Sequence, residues 1–143
     1  MKSWLILVYR IPREPTAKRV FVWQLKHLGA VAVQDAMWVL PANPRTLEQF
    51  QWLAAEITEL GGSATLWQAE QIYATDAGAL KRQFTEPVEI EYQKILAALR
   101  KKNVDLGELS RRYQENVSRD YFFSELAVQV RERLIAVQGE RRR

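Results

Sequence analysis

Six consecutive apolar residues, Trp4 to Tyr9, run straight into Arg10-Ile11-Pro12, and Met37 to Leu40 repeat the pattern before Pro41. Runs this short, rich in β-branched and aromatic side chains and closed by proline, are buried strands rather than helices. A strand sends alternate side chains to opposite faces, so Trp4, Ile6 and Val8 project from one side while Leu5, Leu7 and Tyr9 project from the other. Both sides are apolar, and the pattern predicts that something covers each of them.

The segments between these strands read as helices. Pro15 opens one in which Ala17, Val20, Phe21, Gln24, Leu25 and Leu28 share a face, and Gly29 supplies its stop. Ala30 to Gln34 and Met37 to Leu40 then form two strands joined at Asp35-Ala36. That pair is not a favoured hairpin sequence, so a single bent strand is the alternative. Asn43-Pro44 caps and starts a second helix, with Leu47, Phe50, Ala54, Ile57 and Leu60 at helical spacing up to Gly61-Gly62. Ser63 to Ile72 is the last strand. The order βαββαβ predicts the α+β class, a ferredoxin-like antiparallel sheet with both helices on one face.

Residues 76–143 read as a C-terminal helical extension to the unit at 1–75, packing on that unit's sheet or on a partner subunit. Asp76 to Phe84 starts a helix, Pro87 predicts a break near Thr85, and Ile90 to Leu99 continues the apolar stripe. Asp105 and Glu108 form a capping-box-like pair ahead of Leu106, Leu109 and Tyr113. Tyr121-Phe122-Phe123 precedes a final amphipathic helix through Leu126, Val130, Leu134 and Val137.

Several kinds of chemistry are excluded by composition. The 143 residues contain no cysteine, which removes disulfides, thiol nucleophiles, iron-sulfur clusters and thiolate zinc sites. His27 is the sole histidine and has no evident partner, and reads as a surface histidine. No glycine-rich phosphate loop is present, because Gly61-Gly62 follows a helix. Glu86, Glu89 and Glu91 splay around a helix and suit a solvated helix start better than an oxygen cage. Similar small βαββαβ domains, the CRISPR adaptation nucleases, hold metal through an acidic residue near the end of strand one, where this sequence has Tyr9-Arg10. No catalytic residue, metal or cofactor is therefore expected. Arg10 and Pro12 interrupt the first apolar run too early for a membrane span, and no cleavage site follows it, which predicts a cytoplasmic protein.

The positive signal is a basic-aromatic patch. With the apolar face of the first helix turned inward, Arg19, Trp23 and Lys26 fall together on the opposite side, and Arg10, Arg13 and Lys18 lie just upstream. The net charge of +4 permits a polyanionic partner without requiring one. Such a patch either neutralises phosphates while Trp23 packs on sugar or base, or is a solvated face whose tryptophan is covered. A second basic group, Arg100-Lys101-Lys102 with Arg111, Arg112 and Arg119, is interspersed with acids and reads as surface charge.

The stretches WLILVYRIP and RVFVWQLKHLGAVAVQDAMWVLP resemble the N-terminal domain of the ChrB chromate-resistance regulators. Glu91-Tyr92 and the run LGELSRRYQENVSRDYF resemble its distal half. The first two stretches are also similar to the effector region of PaaX-type repressors, whereas the Arg-rich and Asp-Tyr-Phe segments favour ChrB. The resemblance implies a transcription regulator of a chromate-efflux operon or an accessory of it. Full-length relatives add a C-terminal domain to which chromate response is assigned; this sequence stops before it, so such a domain would be separately encoded. No helix-turn-helix or winged-helix pattern accompanies the resemblance. The leading expectation is a non-enzymatic homodimer that binds DNA through the patch. The alternative is an interaction or dimerisation module that never touches nucleic acid, with Trp23 as its anchor. A chromate reductase ranks below both, for want of cysteine and of a cofactor motif.

Overall fold

The computed structural model describes residues 3–12 and 15–142. Its elements are, in order, β1 (Ser3–Arg10), α1 (Pro15–His27), β2 (Val31–Gln34), β3 (Met37–Pro41), α2 (Pro44–Glu59), β4 (Ser63–Glu70), α3 (Ala79–Leu99), α4 (Leu106–Arg119) and α5 (Glu125–Arg141). The chain divides into two compact units, Met1–Ala77 and Gly78–Arg143.

The first unit is a four-stranded sheet in the order β2-β3-β1-β4, each neighbouring pair antiparallel. β1 therefore runs parallel to β2 with β3 between them, and β3 runs parallel to β4 with β1 between them. Right-handed crossovers then place α1 and α2 on the same face, the ferredoxin-like arrangement of an α+β protein. Register puts Leu5 opposite Leu40 and Leu7 opposite Trp38, and all four are buried on the helix-covered face with Phe50 and Ile57 of α2. The opposite face is uneven. Trp4 and Val39 are only 8% and 3% exposed, whereas Val8 and Trp67 are open to solvent. The cover expected for every position of that face is thus present at some and lacking at others.

Asp35-Ala36 does form a two-residue turn between β2 and β3. Ala36 adopts a left-handed φ of 59°, and the register shifts between Ala32 and Gln34. The Tyr9 amide donates to the Ala36 carbonyl at 3.1 Å, fastening the hairpin tip to the end of β1. At the start of α2, Asn43 Oδ1 accepts from the Thr46 amide at 2.9 Å and Thr46 Oγ1 accepts from the Asn43 amide at 3.0 Å, closing a reciprocal cap. The fully buried Thr46 hydroxyl also bonds the Pro41 carbonyl at 2.6 Å, joining the helix cap to the end of β3.

Both helices of this unit end alike. Gly29 (φ 80°) donates to the Lys26 carbonyl and Ala30 to that of Leu25; Gly61 (φ 84°) donates to Thr58 and Gly62 to Ile57. These are Schellman closures, which satisfy the last carbonyls and need a residue tolerant of positive φ. A side chain at Gly62 would also run into the Arg10 carbonyl and would lie 2.9 Å from Ile57 Cγ2, so the turn after α2 and the end of β1 meet there backbone to backbone.

Several expectations are corrected. Val20, Leu47 and Leu60, assigned to inward faces, are exposed, and Leu53 takes a core position instead; an inward stripe is narrow, and residues at its margin face water. β4 ends at Glu70, and Ile72 lies beyond it in the open. No helix begins at Asp76, and none breaks at Thr85: α3 is continuous through Pro87. Phe84, Val88, Tyr92, Ile95 and Leu99 form one buried stripe across that position. Pro87 itself is exposed, on the side where water can satisfy the Gln83 carbonyl that lacks its usual amide donor. Glu86 and Glu89 therefore lie mid-helix rather than at a helix start.

In the second unit α3, α4 and α5 each pack against the other two. Val88, Tyr92, Ile95, Leu99, Leu109, Val130, Leu134 and Val137 form the shared core. Asp105 caps α4 by accepting from the Glu108 amide at 3.1 Å, and Ser124 caps α5 by accepting from the Leu126 amide at 3.2 Å. Among the described residues no helix is long and apolar enough to cross a membrane.

Candidate nucleic-acid interface

α1 carries Lys18, Arg19 and Lys26 and contains no carboxylate from Pro15 to His27. Among its described side chains Phe21 and Leu25 are buried, so the helical repeat of about 100° per residue turns Arg19, Trp23 and Lys26 to the opposite side. All three are exposed, on a stripe roughly 10 Å long at 1.5 Å per residue. Trp23 is 65% exposed, and its ring stacks on His27, one turn later, with centroids 5.1 Å apart and planes 10° from parallel. The stack extends the aromatic surface along the helix and leaves the outer Trp23 face available to a base or sugar. Sequence alone reads His27 as a surface histidine without a role; its i+4 relation to Trp23 is what makes it part of this face.

The other expected residues do not all join that stripe. Lys18 is exposed but lies about 140° around the helix axis from Trp23, on the far flank. Arg10 is exposed at the end of β1, where it borders an open depression with Pro12, Gly61, Gly62 and Ser63. Arg13 lies outside the described residues. The stripe that α1 assembles by itself is thus Arg19, Trp23, Lys26 and His27.

In the second unit the polar residues within the resembling segments join helices to one another. Arg112 grips Glu91 with two nitrogens, Nη2 to Oε1 at 2.7 Å and Nε to Oε2 at 3.3 Å, linking α4 to α3. This bonding to Glu91 raises the Arg112 pKa. Asn116, buried, donates from Nδ2 to the Val88 carbonyl at 2.8 Å. The Tyr92 hydroxyl, fully buried, donates to Asp120 Oδ2 at 3.0 Å. These partners lie 21 to 28 positions apart, and no local signal in the sequence pairs them. Arg119 is held by Glu115, its side-chain nitrogen 3.3 Å from the carbonyl oxygen. Among the described residues no cluster of three or more acidic or histidine side chains could hold a metal ion.

An α+β unit with an exposed, carboxylate-free basic helix, followed by an all-helical unit, defines the class: a small two-unit α+β protein. Residues 19–107 match the family described as Protein ChrB, N-terminal, so the chain belongs to the family of the ChrB N-terminal domain. No curated protein matches it. Family membership associates the chain with chromate resistance.

Proposed function

We propose that this protein is a non-enzymatic regulator of a chromate-resistance operon, acting in the cytoplasm and contacting DNA through α1. The observation that carries the reading is the outward face of α1, where Arg19 and Lys26 flank the exposed Trp23-His27 stack with no carboxylate on the same helix. Cations at this spacing suit phosphate oxygens, and the aromatic stack suits a sugar or base between them. Arg10 and Lys18 are exposed cations off this stripe and serve as auxiliary contacts, and a ChrB-like C-terminal domain is the partner that would supply effector response.

Fluorescence anisotropy against promoter DNA from a chromate-efflux operon, titrated across salt, tests the reading. Replacing Arg19 and Lys26 with Ala weakens binding and lowers the slope of log affinity against log salt by about 0.9 for each phosphate that is no longer neutralised. Wild-type protein that binds no duplex at low salt, or a double variant with an unchanged isotherm, refutes it. An interaction module free of nucleic acid is the second reading, favoured by the exposure of Trp23, since tryptophan is an effective interface anchor. Under that reading Trp23→Ala abolishes partner capture and leaves no DNA phenotype to lose.

A further inference from the structure

Within the first unit, β4 is a sheet edge without the usual protections. It is eight residues long and pairs with β1 at every position from Ser63 to Glu70 without a shift in register. An edge strand turns half of its backbone donors and acceptors away from its one neighbour, and folded proteins usually blunt such an edge with proline, charge, a bulge or shortness. The opposite edge, β2, is so treated: it has four residues and a register shift between Ala32 and Gln34. β4 has none of these devices. Ser63 to Ala69 contains neither proline nor a charged side chain, and among the described residues of the first unit no backbone hydrogen bond reaches β4 from any segment other than β1.

Between its ends, where Arg10 borders Ser63 and Glu70 closes the strand, the surroundings of this edge are uncharged as well. On the helix-covered side a groove runs between α2 and β4, lined by Leu47, Gln51 and Ala54 from the helix and by Ala64, Leu66 and Gln68 from the strand. On the other side Trp67 stands 59% exposed, its indole N–H donating to Thr65 Oγ1 at 3.0 Å, which fixes the ring over the strand.

We propose that β4 pairs antiparallel with β4 of a second copy of this chain, joining two four-stranded sheets into one. A twofold axis normal to the sheet keeps the helices of both copies on one side, so residues that meet must come from the same face. Centred on Trp67, the axis sets Trp67 against its copy, Thr65 against Ala69, Leu66 against Gln68 and Ala64 against Glu70. The one charge of the strand, Glu70, thereby avoids its own copy. Charge matching selects this occupant: the α2 stripe of Leu47, Gln51, Ala54 and Thr58 meets an identical neutral stripe, whereas an acidic or basic peptide would find no counter-charge in the groove. Two neutral edges of equal length satisfy each other's backbone groups and cover each other's apolar margins.

Mass measurement without DNA tests this independently of the α1 reading. By light scattering after size exclusion, the wild-type chain of 16.7 kDa elutes at about twice that mass. Thr65→Lys with Trp67→Lys places like charges across the axis and returns the chain to monomer, with its helix signal in circular dichroism retained; Thr65→Lys alone, a milder change, weakens the dimer. Because the protein has no cysteine, Trp67→Cys supplies a single thiol that cross-links the dimer under mild oxidation, while Trp52→Cys, on the outer side of α2, does not. A monomeric wild type, a dimer indifferent to the two lysines, or faster cross-linking through position 52 than through position 67 overturns the proposal.

Discussion

The Tyr92 hydroxyl donates to Asp120 Oδ2 at 3.0 Å, and both oxygens of the same carboxylate lie 3.1 Å from the Ser124 amide. One side chain thereby ties the middle of α3 to the entry of α5. Tyr92→Phe keeps the ring and loses the donor, and is expected to lower stability by about 1.5 kcal/mol, typical of a hydrogen bond to a charged group. Asp120→Ala strands a buried hydroxyl and frees the Ser124 amide, at a cost of about 3 kcal/mol. Asp120→Asn retains an acceptor and falls between the wild type and the alanine variant. Urea titrations followed by circular dichroism rank the three, and Tyr92→Phe proving as costly as Asp120→Ala would contradict this account.

Burial first, and then the negative charge of Asp120, hold the Tyr92 hydroxyl above its ordinary value of 10.0. Between the unfolded and folded values the unfolded chain releases a proton that the folded chain keeps, so the contribution is complete below about pH 10 and is lost as pH rises beyond it. Tyr9 is shifted in the same direction, mainly by burial. The urea midpoint of the wild type should stay level toward pH 10 and then fall, with the fall smaller in Tyr92→Phe. Equal alkaline losses in the two proteins would rule out this role for Tyr92.

Gly61 and Gly62 are adjacent but differ in what they tolerate. A Cβ at Gly61 meets nothing closer than Pro12 Cγ at 3.8 Å, so Gly61→Ala pays only for positive φ, about 1 kcal/mol. At Gly62 the Arg10 carbonyl and Ile57 stand in the way, and Gly62→Ala is expected to cost about 2 to 3 kcal/mol through displacement of the end of β1 from the turn after α2. Chemical denaturation of the two variants at equal m-value decides the order.

Pro87 withholds an amide from the ninth position of α3 while facing solvent. Pro87→Ala restores the bond to the Gln83 carbonyl and should stabilise the protein by about 2 kcal/mol, after allowing for the greater freedom of the unfolded chain. A rise of several degrees in melting temperature with unchanged helix content is the expected reading. A loss of stability would mean that the proline shapes the helix in a way its neighbours require.

What can be read from the sequence is what local chemistry dictates. Pro12, Gly29, Asn43-Pro44 and Gly61-Gly62 mark ends that strands and helices reach in the structure, because caps and left-handed closures depend on residues a few positions apart. The outward grouping of Arg19, Trp23 and Lys26 follows from helical period alone, and so it is legible; the same period carries Lys18 to the far flank. The continuity of α3 is hidden, since packing along Phe84, Val88 and Tyr92 outweighs the local effect of Pro87. Glu91 with Arg112, Asn116 with Val88, and Tyr92 with Asp120 are hidden too: each pair is brought together by the folding of α3 against its neighbours.

The matched Schellman closures of α1 and α2 fix the length of both returns from helix to strand. Each returns to the sheet within a few residues, through an amide pair whose spacing leaves no slack. An extra residue inserted after Leu28 or Leu60 would shift the following strand by one position and exchange its inward and outward side chains. The entry to α2 is just as tightly measured, since only Ala42 and Asn43 separate it from β3 and the Thr46 hydroxyl holds the Pro41 carbonyl, so an insertion there would break the cap as well.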